Sequence, residues 1–258
     1  MILQRPMYYP SANEDRLLHI YVPDDYADTS ERYPVMYFFD GHNLFYDNYA
    51  TYGTCWGMKE FLDHWEKKLI LVGMECSHKD HERLSEYSPY HKHFFGETVD
   101  GRGGETFRWI VEDIKPMIDR EFRTWSHREA TAIGGSSMGG LMSMYGVIRY
   151  NHVFSKAACL STGLFWNSAN LRKDLNDVSL SPDTRIYMGW GETESGRAPH
   201  GGNPEWDTRE ARSTRKFERE LQEKGARTYL NFQWGGRHCE ADWALQVPVF
   251  MDWLWLQP

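Results

Sequence analysis

The stretch Ala130-Thr131-Ala132-Ile133-Gly134-Gly135-Ser136-Ser137-Met138-Gly139 decides how the rest of the chain is read. Its first half is a short apolar run of strand type. Its second half has the spacing Gly-x-Ser-x-Gly, and Leu141, Met142, Met144 and Tyr145 follow with helical spacing. A strand that turns sharply into a helix needs glycines where side chains would collide, and such a turn lifts the central serine clear of the sheet. Ser137 is therefore the expected nucleophile, with Ser136 at the variable position. The next amide, that of Met138, would point at developing negative charge with the helix N-terminus behind it.

Outward from this turn, apolar runs of strand length alternate with segments of helical period, which predicts a mainly parallel sheet covered on both faces. Strands are expected at 17–22, 35–39, 69–74, 131–135, 156–160, 185–190 and 228–233, the first of them beginning an antiparallel edge. Phe107, Ile110, Val111, Ile114, Met117 and Ile118 form one helical stripe, and further stripes run over 141–148, 217–221 and 245–256. The polar runs 77–104 and 195–207 lack periodicity and read as long loops flanking the active site.

A serine hydroxyl needs a base to take its proton, and the base needs an orienting partner. Of the eleven histidines, His238 stands out, because Trp234-Gly235-Gly236-Arg237-His238 follows the last expected strand. The acid is expected between serine and histidine, after the penultimate strand, where Gly191-Glu192-Thr193-Glu194 lies. Glu194 is the first choice, Glu192 the alternative acid, and Asp183 and Asp207 are outsiders. The order serine, acid, histidine is that of the α/β-hydrolase fold, so a single domain of that fold over 1–258 is the expectation.

Composition narrows the classes. The 258 residues are 41% hydrophobic and 26% charged, as in ordinary globular proteins, and the formal charge of −8 argues against a nucleic-acid partner. No run approaches the roughly eighteen apolar residues of a membrane span. The N-terminus lacks the pattern of a secretory signal, so the cytoplasm is the expected compartment. Cys55, Cys76, Cys159 and Cys239 have neither metal-like spacing nor the density of a disulfide scaffold, and are read as reduced thiols. His78, His81 and Glu82, with His91 and His93 nearby, match no zinc pattern, so no metal and no cofactor is expected. Eleven Trp, fifteen Tyr and thirteen Phe exceed the needs of a core, and Trp56, Trp166, Trp190, Trp206 and Trp234 are candidates to stack on a sugar or an aromatic acyl group.

With these motifs in place, the chain resembles the putative-esterase family of α/β-hydrolases, which includes esterase D-like, feruloyl, acetylxylan and enterochelin esterases and the mycolyltransferases. The resemblance rests on the run Tyr33-Pro34-Val35-Met36-Tyr37-Phe38-Phe39-Asp40-Gly41-His42-Asn43-Leu44-Phe45. It rests also on Arg83 with Glu86-Tyr87-Ser88-Pro89, on the Ser137 turn, and on His238 followed by Trp243. It implies that the loop after Asp40-Gly41 supplies a second oxyanion amide, that of His42 with Asn43 as alternative, and that the acid falls on Glu194. It implies a serine ester hydrolase acting on a small-molecule ester, such as an acylated carbohydrate, with the oligomeric state left open. A thioesterase or acyltransferase would use the same groups, and a non-catalytic binding domain is the reading from another class.

Overall fold

The computed structural model describes residues 1–94, 97–194 and 208–257. The expected loop 195–207, with Trp206 and Asp207, lies outside the described residues, as does the side chain of Trp166. The chain opens with β1 (Ile2–Tyr9) and β2 (Glu14–Tyr21), a hairpin in antiparallel register from Ile2 opposite Tyr21 to Tyr9 opposite Glu14. Then come β3 (Val35–Phe39), α1 (Met58–His64), β4 (Ile70–Met74), α2 (Glu82–Glu86) and a small hairpin, β5 (Lys92–Phe94) with β6 (Glu97–Val99). Helix α3 (Gly103–Trp109) runs through a π-helical turn, Ile110–Ile114, into α4 (Lys115–Glu121). The second half alternates: β7 (Thr131–Ser136), α5 (Met138–Arg149), β8 (Lys156–Leu160), α6 (Leu164–Asn176), β9 (Arg185–Gly191), α7 (Arg209–Glu223) and β10 (Arg227–Gln233). Helices α8 (Glu240–Ala244) and α9 (Val247–Trp255) close it.

Eight strands form one sheet in the order β1-β2-β4-β3-β7-β8-β9-β10. β2 is antiparallel to both of its neighbours, and every pair from β4 to β10 is parallel. The α/β-hydrolase arrangement expected from the serine turn is therefore present, with one correction. The segment 17–22 is not the edge, because β1 covers it. β1 carries no strand signal along the sequence because Gln4, Arg5 and Pro6 break its apolar pattern, as suits an edge strand that must not recruit another chain.

The central strands are buried on both faces, which is why they read as continuous apolar runs. Their alternate residues separate into two cores. Val35, Tyr37 and Phe39 of β3, with Ile70, Val72 and Met74 of β4, pack under α3 to α7 through Phe107, Ile114, Leu141, Leu171 and Phe217. Met36 and Phe38, with Leu71, face Met58 and Leu62 of α1 and Trp243, Phe250 and Leu254 near the C-terminal end. Each such fully buried side chain contributes about 1.5–3 kcal/mol relative to its exposure. The expected stripe 245–256 begins two residues later than read, since Leu245 is 69% exposed.

Candidate active site

Ser137 sits between β7 and α5 with φ +56° and ψ −120°, a conformation that costs a side-chain-bearing residue about 1–3 kcal/mol. The flanking glycines permit it. A Cβ on Gly135 would lie 2.7 Å from the carbonyl carbon of Gly139, and one on Gly139 would lie 2.8 Å from Phe39 Cβ. The turn is further held by the Ser137 amide, which donates to the Leu160 carbonyl at 2.9 Å. Met138 is the first residue of α5, where amides have no intrahelical partner.

His238 lies beyond β10 on a loop that turns at Gly235, φ +64°. Its Nδ1 is 2.9 Å from Glu194 Oε2, and the Glu194 side chain is only 2% exposed. The other carboxylate oxygen accepts from the Ser161 hydroxyl at 2.6 Å and from the Gly191 amide at 2.7 Å. Ser161 in turn accepts from Trp243 Nε1 at 2.8 Å, and the Trp243 ring stands edge-on to His238 with centroids 4.9 Å apart. A carboxylate can only accept, so Nδ1 of His238 carries the proton in this bond and Nε2 keeps its lone pair.

Glu192 goes elsewhere: its Oε2 accepts from the Gly235 amide at 2.7 Å and so fastens the turn that carries His238. Asp183 pairs with Arg128. Ser161 had no signal in the sequence, since a serine at the end of a strand is commonplace; only the fold brings it against Glu194.

The turn after β3 is the other side of the site. Asp40 has φ +57°, and its buried carboxylate takes two bonds from Arg83, Nε to Oδ1 and Nη2 to Oδ2, each 2.7 Å. Burial alone would raise the Asp40 carboxyl, but the Arg83 charge and bonds hold it below its usual range. The Asp40 amide donates to the Tyr87 hydroxyl at 3.2 Å, and Arg83 lies over the Tyr87 ring. The motif residues Arg83 and Tyr87 thus clamp this turn. Within it the Asn43 amide donates to the Asp40 carbonyl at 2.9 Å, which commits it to the turn.

Ser137 and His238 line two adjoining clefts. One, of about 550 Å³, is walled by Leu84, Lys92, Val99, Met138, Asn167 and Trp190. The other, of about 490 Å³, is walled by His42, Asn43, Thr51, Tyr52, His78 and Glu240. The run 77–104, read as an unstructured loop, in fact supplies α2 and the β5–β6 hairpin to the first wall. Of the tryptophans, Trp56 is core against Trp243 and Phe38, Trp234 is 65% exposed, and Trp190 borders the cleft. Its buried indole N–H has no hydrogen-bond partner among the described residues. His78, His81 and Glu82 do not form a cluster: Glu82 binds the Ser77 hydroxyl, and His78 turns to Glu75. The cysteines are free thiols, and no helix among the described residues is long and apolar enough to cross a membrane.

A serine turn at the C-terminal edge of a mainly parallel sheet, sharing its clefts with a histidine that has a buried acid behind it, in a chain matching an esterase family, defines the class: a serine ester hydrolase of the α/β type. The chain belongs to the putative-esterase family, whose sequence profile matches residues 10–253. It is 24% identical to YbbA of Bacillus subtilis over 93% of each chain. It is 25% identical to the ferri-bacillibactin esterase BesA of the same organism, over 71% of this chain and 68% of that one. Among solved structures, an IroE-like serine hydrolase from Shewanella oneidensis superposes with a TM-score of 0.75 at 19% identity, covering 98% of this chain and 81% of that one.

Proposed function

We propose that the chain hydrolyses carboxylic esters through an acyl-enzyme formed on Ser137. His238 Nε2 takes the seryl proton as the oxygen attacks the ester carbonyl, and Glu194 holds the imidazole in the reactive tautomer and faces the positive charge it gains. The amides of Met138 and His42 receive the oxyanion. The imidazolium then returns its proton to the departing alcohol, and water releases the acid by the same steps in reverse roles. The observation that carries this reading is the line of hydrogen bonds from Trp243 through Ser161 and Glu194 to His238. It orients one ring nitrogen toward a cleft that Ser137 also lines.

Two limbs meeting at Ser137 suit an ester with a sizeable group on each side of the scissile bond. The limb with Trp190, Lys92 and Asn167 offers an aromatic face and polar donors for a ring-bearing acyl group. That fits an acylated carbohydrate or another small aromatic ester, and the name of the relative BesA, a ferri-bacillibactin esterase, adds ferri-bacillibactin-like esters to the candidates.

The test is fluorophosphonate labelling together with hydrolysis of p-nitrophenyl acetate and butyrate, methyl ferulate and ferri-bacillibactin. Wild type labels at Ser137 and turns over at least one ester, while Ser137→Ala loses the label and several orders of magnitude in kcat. A folded wild type that neither labels nor hydrolyses any of them overturns the proposal in favour of a binding domain. Labelling without hydrolysis redirects it to a thioester or transfer reaction.

A further inference from the structure

The second cleft contains a group of side chains that ester hydrolysis does not use. One donor atom from each of His42, Glu75 and His78 lies within 4.8 Å of the other two. His42 is 6% exposed, its Nε2 is 2.9 Å from the Thr51 hydroxyl, and its Nδ1 is buried without a hydrogen-bond partner among the described residues. A buried ring nitrogen left unpaired calls for an explanation, since nearly all such atoms are satisfied. His78 is exposed on the cleft side, with Nε2 3.2 Å from Glu75 Oε2. The other Glu75 oxygen is held at 2.7 Å by Nε2 of His19, which is buried in β2.

We propose that His42, Glu75 and His78 bind a divalent ion of the zinc class, with a coordination position open to the cleft that Ser137 and His238 border. Two imidazoles and one carboxylate form a donor set suited to Zn²⁺, Co²⁺ or Ni²⁺ rather than to Ca²⁺ or Mg²⁺, which prefer oxygen. The spacing agrees. Bonds of about 2.0–2.2 Å in a tetrahedron put neighbouring donor atoms roughly 3.3 Å apart, close to the separation of His78 and Glu75. The exposed His78 ring is free to turn, and the three donor atoms already lie within 4.8 Å of one another. His19 then plays the part of an outer partner that orients the carboxylate, and the open position takes water or an oxygen of a bound molecule. These residues are distinct from the His78, His81, Glu82 combination visible along the sequence. They meet only because the turn after β3 and the segment after β4 lie side by side, Gly41 and Gly73 being too close for any Cβ.

The test uses the whole chain, stripped with a chelator and titrated with Co²⁺ under visible absorption and with Zn²⁺ by calorimetry. The expected result is one saturable ion per chain with the d–d bands of a four- or five-coordinate site. The ion is lost in His78→Ala and in Glu75→Gln, and bound about 10 to 100-fold more weakly in His19→Gln. His93→Ala binds as wild type does. Far-UV circular dichroism checks that each variant is folded, and His78, being exposed, can be removed without disturbing a core. No saturable binding, or binding that survives in His78→Ala, overturns the proposal.

Discussion

Glu192 and Glu194 stand two residues apart on one loop, and nothing along the chain separates them. What separates them is that Glu194 meets three donors, the Gly191 amide, the Ser161 hydroxyl and His238 Nδ1, while Glu192 meets the Gly235 amide. The candidate serine and histidine are legible because each sits in a local pattern, a glycine turn and a strand-end loop. The candidate acid is legible along the chain only as a pair, since what distinguishes Glu194 is its bond with Ser161, more than thirty residues away. The two acids should respond differently. Glu194→Gln puts an amide among donors and disturbs the histidine tautomer, so kcat should fall about 10³ to 10⁴-fold with the fold retained. Glu192→Gln should leave kcat within about tenfold but cost about 1 kcal/mol of stability through the weakened Gly235 bond. Steady-state kinetics beside urea denaturation of both variants checks this, and equal loss of kcat in the two would refute the assignment of the acid.

Among the elements, strands buried on both faces are legible from apolar runs alone, while wet-faced ones are legible only in part: β10 and α7 are expected, β1 and α6 are not. β3 and β4 were readable from apolar runs alone. α6 gives a weak signal along the sequence because Asn167, Arg172, Lys173, Asp174 and Asn176 dilute its stripe of Leu164, Leu171 and Leu175. α2 is a single short turn whose importance lies in one side chain, Arg83, that fixes the turn after β3. Removing it leaves the 6%-exposed Asp40 as an uncompensated buried charge. Arg83→Met should therefore cost roughly 2–3 kcal/mol, below the full value for a buried pair because Arg83 is partly exposed. It should also lower kcat by up to about 100-fold as the His42 amide loses its position, with a smaller change in KM. Unfolding midpoints and the split between kcat and KM provide the check; an unchanged kcat would mean that this turn donates nothing to the reaction.

For the molecule as a whole, stability depends on acid through its paired carboxylates. Burial would raise the Glu75 carboxyl, but the bonds from His19 and His78 bring it down to about 2 from an ordinary 4.5. A carboxyl lowered in the folded state stabilises the fold above its ordinary value, and that gain disappears as pH falls through the interval between about 4.5 and 2. His78 is raised by its bond to Glu75, which is the same interaction seen from the other partner, so it weakens again as pH rises past the histidine range. The chain also passes from a charge of −8 at neutrality to strongly positive as its 37 carboxyl side chains are neutralised, adding general repulsion. Wild type should thus be more stable than Glu75→Gln at pH 7 by on the order of 2 kcal/mol, and the two should converge near pH 2. Urea titrations at a series of pH values measure both limbs, and a constant gap between the variants would exclude Glu75 as the source.

The positive φ of Ser137 also bears on how stability and chemistry divide the chain. Glycine at that position would relax the turn, so the sequence here is not the most stable one its own backbone allows. The steric tension of one residue marks the point where an exposed hydroxyl is held at the expense of the fold's thermodynamic optimum.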